Sequence, residues 1–285
     1  MGPLSLTDPA EIDGYRLVGR LGAGSMGVVY DAVSPTGARV ALKTLDLSTI
    51  APIDLDDRLE RFAREATALK KVKGESLVRV LAANPSLEQP YLVTTLVEGR
   101  TLAEHLTRTT MPTDQAALLG MVLAEGLTEV HAEGLVHRDL KPANIILGAV
   151  GPVLVDFGLV AELDRDVRFS MTGLVVGTPL TMSPEQAQGQ AAGSPADIHG
   201  LGAVLVQATT GHAPYGSSGN VDEMLAKISN KNIAPDLSGV PDELAEVVQQ
   251  MLAHDQRARP AAPEILNRLR AVVLAWRRVC NLTKP

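Results

Sequence analysis

His137-Arg138-Asp139-Leu140-Lys141-Pro142-Ala143-Asn144 packs an acid, a base and an amide into one short loop. Asp139 can accept the proton of an attacking hydroxyl. Asn144 offers a carbonyl oxygen to a hard cation. Lys141 can neutralise a phosphoryl oxygen during its transfer. A solvated run of charges has no reason to keep this order, so the weaker signals on either side take their meaning from this loop.

Downstream, the apolar strand Val153-Leu154-Val155 runs into Asp156-Phe157-Gly158. A carboxylate at a buried strand end needs a cation or hydrogen-bond partner. With Asn144 it makes an oxygen-rich magnesium site, completed by phosphate and water. The tripeptide alone is also compatible with a simple strand-end turn. Upstream, Gly22-Ala23-Gly24-Ser25-Met26-Gly27-Val28-Val29 reads G-x-G-x-x-G-x-V. Its glycines allow close backbone approach to phosphate oxygens, with amide N–H groups as donors. A bare hairpin turn would also use glycine. A dinucleotide-binding unit would need a helix directly afterwards, whereas Val28-Val29-Tyr30 continues as strand. Val40-Ala41-Leu42-Lys43 comes next. A lysine facing the interior there needs an anion, and Glu65 on the next helix is a candidate. A solvated edge lysine is the alternative.

The wider chain bounds these readings. It has 285 residues, 45% of them hydrophobic and 21% charged, so a substantial core without disulfides is expected and disorder is not. Lys plus Arg is 26 and Asp plus Glu is 33, giving a net charge of −7, which argues against a nucleic-acid-coating protein. The single cysteine, Cys280, excludes an internal disulfide and any Cys-rich zinc site, and fits a reducing cytosol. No apolar run reaches the roughly 20 residues needed to span a bilayer, and Met1 to Ala10 shows no signal peptide. A cytoplasmic location without a membrane segment in this chain is therefore expected.

Periodicity divides the chain. Strands are expected at Tyr15 to Leu21, Val28 to Ala32, Arg39 to Leu45, Leu77 to Ala83 and Tyr91 to Leu96. One helix, Leu55 to Val72, would bury Leu55, Leu59, Phe62, Ala66 and Leu69. From Leu102 helices dominate: Thr113 to Glu133, Pro195 to Thr210, Val221 to Ser229, Asp242 to Ala253 and Pro263 to Val279. Two short strands, Ile145 to Leu147 and Val153 to Val155, interrupt them.

The ordered set of glycine loop, strand lysine, helix glutamate, catalytic loop and Asp-Phe-Gly resembles the eukaryotic-like (Hanks-type) serine/threonine protein kinases, over about Ile12 to Leu274. The wording Lys141-Pro142-Ala143 and Ser183-Pro184-Glu185-Gln186-Ala187 is most similar to the bacterial, actinobacterial branch. The resemblance implies an α+β, two-lobed kinase fold, with a small antiparallel-sheet lobe carrying one helix and a larger, mainly helical lobe. Residues 1–11 would be an N-terminal extension and 12–274 the kinase domain. Within it the small lobe would take 12–96, the hinge 97–101 and the large lobe 102–274, with a tail at 275–285.

The resemblance further implies roles. Lys43 would hold the α- and β-phosphates and pair with Glu65. Asp139 would be the base, Lys141 would touch the γ-phosphate, and Asn144 and Asp156 would hold magnesium, with manganese as a substitute. Thr178 would hydrogen-bond toward Asp139 and Lys141. Gly22 to Gly27, including Ala23, Gly24, Ser25 and Met26, would cover the phosphates of ATP. Leu21, Val29, Ala41, Val78 and Ile146 would sandwich adenine, Thr94 would be a small gatekeeper, and Thr95 and Val97 would offer backbone bonds. Ser170 and Thr172 would be autophosphorylation sites coupled to Arg138. His137, Phe157, Gly158, the pair Glu185 and Arg259, and Asp197 would be structural. Protein Ser/Thr hydroxyls would be the substrates, and the family's habit allows a homodimer through the small lobe.

Three departures stand out: Thr181 in place of an aromatic, Thr95 in place of the hinge glutamate, and His199-Gly200 after Asp197. None removes a phosphate or metal ligand. A catalytically silent nucleotide-binding scaffold would lack one of lysine, base or metal ligand. A small-molecule kinase would not be expected to keep Lys141, Gly177-Thr178 and Ser183-Pro184-Glu185 together.

Overall fold

The structure, a computed structural model, describes residues 2–24, 27–46, 55–86, 89–157, 179–218 and 220–282. They form two compact units. The first comprises the described residues of Met1–Lys73 and Val78–Val97, and the second those of Gly74–Leu77, Glu98–Phe157 and Gly177–Pro285.

The first unit is a six-stranded antiparallel sheet with one helix. Its strands are β1 (Glu11–Ile12), β2 (Tyr15–Gly24), β3 (Gly27–Val33), β4 (Arg39–Thr44), β5 (Val80–Asn84) and β6 (Tyr91–Thr95), in the order β1-β2-β3-β4-β6-β5. Alternation along β4 buries Val40, Leu42 and Thr44 and leaves Ala41 and Lys43 half-exposed on the opposite face. Ile12, Leu17, Tyr30, Ala32, Val40, Leu42, Tyr91 and Val93 form the core of the buried face. The sheet's first turn and last strand meet. Asn84 Nδ2 donates to Asp13 Oδ2 at 2.8 Å, and Tyr15 packs edge-on against Tyr91 with centroids 6.0 Å apart. Helix α1 (Leu55–Leu69) ends before the expected Val72 and buries Leu59, Phe62, Ala66 and Leu69 of the expected face, while Leu55 at its start is half-buried.

The second unit is helical around a three-stranded sheet of β7 (Gly99–Thr101), β8 (Ile145–Gly148) and β9 (Pro152–Leu154). Its helices are α2 (Leu102–Leu106), α3 (Thr113–Ala132), α4 (Pro184–Ala187), α5 (Ser194–Thr210), α6 (Val221–Ser229), α7 (Asp242–Met251) and α8 (Ala262–Leu282). With aromatics at only 3% of the chain, close helix approach replaces bulky rings. A Cβ on Gly120 of α3 would stand 2.9 Å from Leu269 on α8 and 3.1 Å from Leu205 on α5. Helix α5, almost wholly buried, ends at Gly211, whose φ of +81° is the usual left-handed stop.

Two of the boundaries that differ from the sequence expectation are set by the second unit. The strand expected from Leu77 begins at Val80, because residues 74–77 fold with the second unit. There the Ser76 carbonyl accepts the Leu154 amide at 2.8 Å, and Gly126 of α3 leaves room for Ser76 and Leu77. Part of the stretch 97–101 is itself strand β7, paired with β8 through Arg100↔Leu147 and Thr101↔Ile146.

Candidate active site

The loop His137–Asn144 connects α3 to β8, and its shape is fixed by buried groups on both sides. The Asp197 carboxylate, near the start of α5 and 1% exposed, accepts the His137 amide at 2.8 Å and the Arg138 amide at 2.7 Å. His131 Nε2 on α3 lies 2.8 Å from the same carboxylate. Arg138 takes a φ of +64°, so its backbone is held in a left-handed turn that a bulky residue adopts only under constraint. Its carbonyl accepts a hydrogen bond from Gln186 Nε2 at 2.8 Å.

His137 is fully buried and works through both ring nitrogens. Nε2 donates to the Val155 carbonyl at 3.1 Å, which leaves Nδ1 to accept the Asp139 amide at 3.3 Å. Its ring leans on Phe157, centroids 4.9 Å apart. One imidazole thus links the catalytic loop to the strand that delivers Asp156.

On this frame the chemical groups converge. Lys141 Nζ donates to Asp139 Oδ2 at 2.7 Å. Asn144 Nδ2 donates to the same oxygen at 3.0 Å and to the Asp139 carbonyl at 2.8 Å. Both amide hydrogens of Asn144 are thereby turned toward Asp139, and its acceptor oxygen is the end that faces away. The Val155 amide donates to the Asn144 carbonyl at 2.8 Å, continuing the β8–β9 register, so Asp156 emerges beside Asn144. Asp156 has a φ of +59°, another left-handed non-glycine residue of the site. Two hard oxygen donors on adjacent strand ends suit magnesium, which keeps waters and binds phosphate alongside one or two protein ligands.

Beneath the loop, Glu185 and Arg259 form a buried bidentate pair, with Nη1–Oε1 at 2.6 Å and Nη2–Oε2 at 2.8 Å. The remaining guanidinium hydrogens go to the carbonyls of Ala253, Pro195 and His254. Burial pushes the Glu185 carboxyl up, but the hydrogen bonds and charge of Arg259 outweigh it and hold the group below its ordinary range. His199 packs nearby, fully buried and stacked on Tyr215 at 6.1 Å. Among the described residues its ring nitrogens find no hydrogen-bond partner of good geometry, and burial pushes its pKa down to about 3. Gly200 beside it lets two backbones close in. A Cβ there would stand 3.2 Å from the Leu140 carbonyl and 3.7 Å from that of Thr181.

In the first unit, Lys43 stands opposite Val29 on β3 and Leu92 on β6, and Ala41 stands opposite Thr94. Alternation therefore puts Val29, Ala41, Lys43 and Thr94 on one face of the sheet. Glu65 is half-buried on α1. The glycine loop is a hairpin between β2 and β3, with Gly22↔Val29 and Gly24↔Gly27 paired and Leu21 39% exposed. Gly27 has a φ of +126°, and a Cβ on it would lie 2.0 Å from the Thr44 carbonyl oxygen, so no other residue fits. Val78 is buried, Thr95 and Val97 are half-buried, and Thr95 exchanges hydrogen bonds with Arg79. Ile146 lies on β8 in the second unit. Ser25, Met26, Gly158, Ser170, Thr172 and Thr178 lie outside the described residues.

Sequence reasoning missed His131 and Gln186. Nothing in their local spacing marks them, since each reaches its partner only through the tertiary fold.

Two crystal structures of the Mycobacterium tuberculosis PknI kinase domain share the fold. One, a point mutant, is 22% identical with a TM-score of 0.71 and covers 94% of this chain and 99% of that one. The other is 24% identical with the same TM-score of 0.71 and covers 91% and 95%. The protein kinase domain family model matches residues 15–269. The chain belongs to the protein kinase family. It is 39% identical over 269 residues to a probable serine/threonine-protein kinase, PkwA of Thermomonospora curvata, covering 94% of this chain and 35% of the relative. It is 37% identical over 267 residues to the serine/threonine-protein kinase AfsK of Streptomyces griseus, covering 92% and 32%. The chain thus spans about a third of the length of these curated relatives.

Proposed function

We propose that this chain transfers the γ-phosphoryl group of ATP to serine and threonine hydroxyls of proteins. The observation that carries the proposal is the convergence of Lys141 and Asn144 on one carboxylate oxygen of Asp139, on a loop held by Asp197. In the reaction the Asp139 carboxylate takes the proton of the substrate hydroxyl. A bond forms between that oxygen and the γ-phosphorus, the bond from phosphorus to the β–γ bridging oxygen breaks, and ADP leaves. Lys141 offsets the charge on the transferring group. Asn144 and Asp156 would hold magnesium, which would supply further neutralisation at the phosphate oxygens.

In the first unit, the glycine hairpin would bind phosphates through backbone amides. Lys43, paired with Glu65, would hold the α- and β-phosphates. Leu21, Val29, Ala41, Val78 and Ile146 would sandwich adenine, with Thr94 a gatekeeper small enough to admit bulky competitive inhibitors. Autophosphorylation at Ser170 and Thr172, read out by Arg138, would switch activity on, and Thr178 would assist at Asp139. Activity in the cytoplasm is part of the same proposal. Among the described residues, no helix is long and apolar enough to cross a membrane.

The test is a phosphosite map of the purified protein after incubation with Mg-ATP, beside Asp139→Asn. Phosphate on Ser170 or Thr172 in the wild type alone is expected. Asp139→Asn should lose about a hundredfold or more in transfer rate while binding ATP with near-normal affinity. Phosphate on neither protein, with a protein substrate also untouched, would overturn the proposal.

A further inference from the structure

Residues 2–10 are folded against the glycine hairpin. Gly2 and Arg20 exchange both backbone hydrogen bonds, at 2.8 and 2.9 Å, on the edge of β2 beyond its pairing with β1. The segment then doubles back. Ser5 donates its amide to Asp8 Oδ2 at 2.7 Å, and Leu17 donates to the Ala10 carbonyl at 2.9 Å.

The centre of this clamp is Asp8, whose side chain is 3% exposed. Besides the Ser5 amide it receives Arg20 Nε at 2.7 Å, Arg20 Nη2 at 2.5 Å and the Tyr30 hydroxyl at 2.8 Å. The Arg20 hydrogen bonds hold the Asp8 carboxyl far below the ordinary carboxylate range, so the group stays charged. Arg20 and Tyr30 are directly opposite each other on β2 and β3. One carboxylate therefore grips both strands of the hairpin at the same rung.

That rung lies just before a break in register. Arg20 pairs with Tyr30 and Gly22 pairs with Val29, so Leu21 is an extra residue on β2. Such a bulge bends its strand, increases the local twist and re-aims the residues beyond it. The first of these is Gly22, which opens the glycine loop.

We propose that Asp8 and Arg20 are positioning residues for nucleotide binding, locking the bulge at Leu21 and so the direction in which Gly22, Ala23 and Gly24 present their amides. This goes beyond the transfer chemistry proposed above and rests on the reading of the glycine hairpin as the phosphate clamp. A hairpin that keeps its aim only a tenth to a third of the time would bind nucleotide roughly three- to tenfold more weakly. Transfer at saturating ATP would change little, because neither residue belongs to the loop that carries Asp139.

The experiment compares the wild type with Asp8→Ala by titration with a fluorescent ATP analogue, by steady-state kinetics, and by hydrogen exchange of the Val28–Ala32 amides. The expected result is a Kd and KM raised about three- to tenfold, kcat within about twofold, and faster exchange on β3. Restoration of affinity in Asp8→Glu would support the charge as the active feature. A merely structural role would lower Tm and leave the Kd of the folded protein unchanged, which would overturn the proposal. Asp8→Asn, which keeps the size and one acceptor oxygen, is read in the same way should Asp8→Ala not fold. A wild type that binds no nucleotide would overturn the phosphate-clamp reading and this proposal together, whereas normal binding by both proteins would overturn the positioning role alone.

Discussion

Asp197 shows how much one buried carboxylate can organise. It replaces water for two consecutive backbone amides at a loop whose Arg138 is already in a left-handed conformation. Asp197→Asn keeps one acceptor oxygen and substitutes a donor for the other, so one amide faces a donor. Loop placement should suffer more than nucleotide binding. The expected outcome is a kcat lower by about a hundredfold with ATP affinity nearly unchanged, measured by single-turnover transfer beside nucleotide titration. Arg259 is a second such residue, with its guanidinium hydrogens spent on Glu185 and three carbonyls. Arg259→Met strands a buried carboxylate and should cost about 3–5 kcal/mol. Adding Glu185→Gln removes the stranded charge and should recover much of that loss. Equal stability of the single and double variants in urea titrations would contradict this account.

Among the elements, the glycine hairpin depends on one position whose backbone nothing but glycine can supply. Gly27→Ala would drive a Cβ into the Thr44 carbonyl and strain a φ of +126°. It should cost upwards of about 1–3 kcal/mol and weaken nucleotide binding, checked by Tm and titration. The sequence showed the hairpin, the amphipathic α1 and the long apolar helices, because each repeats with its own period over many residues. It did not show β1 or β7, which at two and three residues are too short to have a period. Nor does the N-terminal extension show its contact, because Asp8 meets Tyr30 across 22 residues by way of a sheet edge that no local pattern describes.

For the whole molecule, acid is the informative variable. His199, ordinarily near 6.5, is held to about 3 by burial. The unfolded chain therefore binds a proton there that the folded chain refuses. This contribution is complete above pH 6.5 and is lost as pH falls toward 3. Glu185, held below 4.5, adds a loss of the same sign only below that value. Stability from urea midpoints should thus decline below pH 6.5, and His199→Phe, which keeps an aromatic face for Tyr215, should flatten the decline between pH 6.5 and 4.5. An unchanged slope in that variant would refute the assignment. The sequence by itself determined the family, the order of the catalytic groups and most elements, because those signals lie in short spacings and regular periods. It brought Glu185 to Arg259, 74 residues away, only through resemblance to other kinases. Tertiary structure alone decided that His131 joins Asp197 across 66 residues, that Gln186 holds Arg138 and that Asp8 grips the glycine hairpin. Those contacts exist only where packing closes long loops, and no residue in them carries a local mark of the partner it will meet.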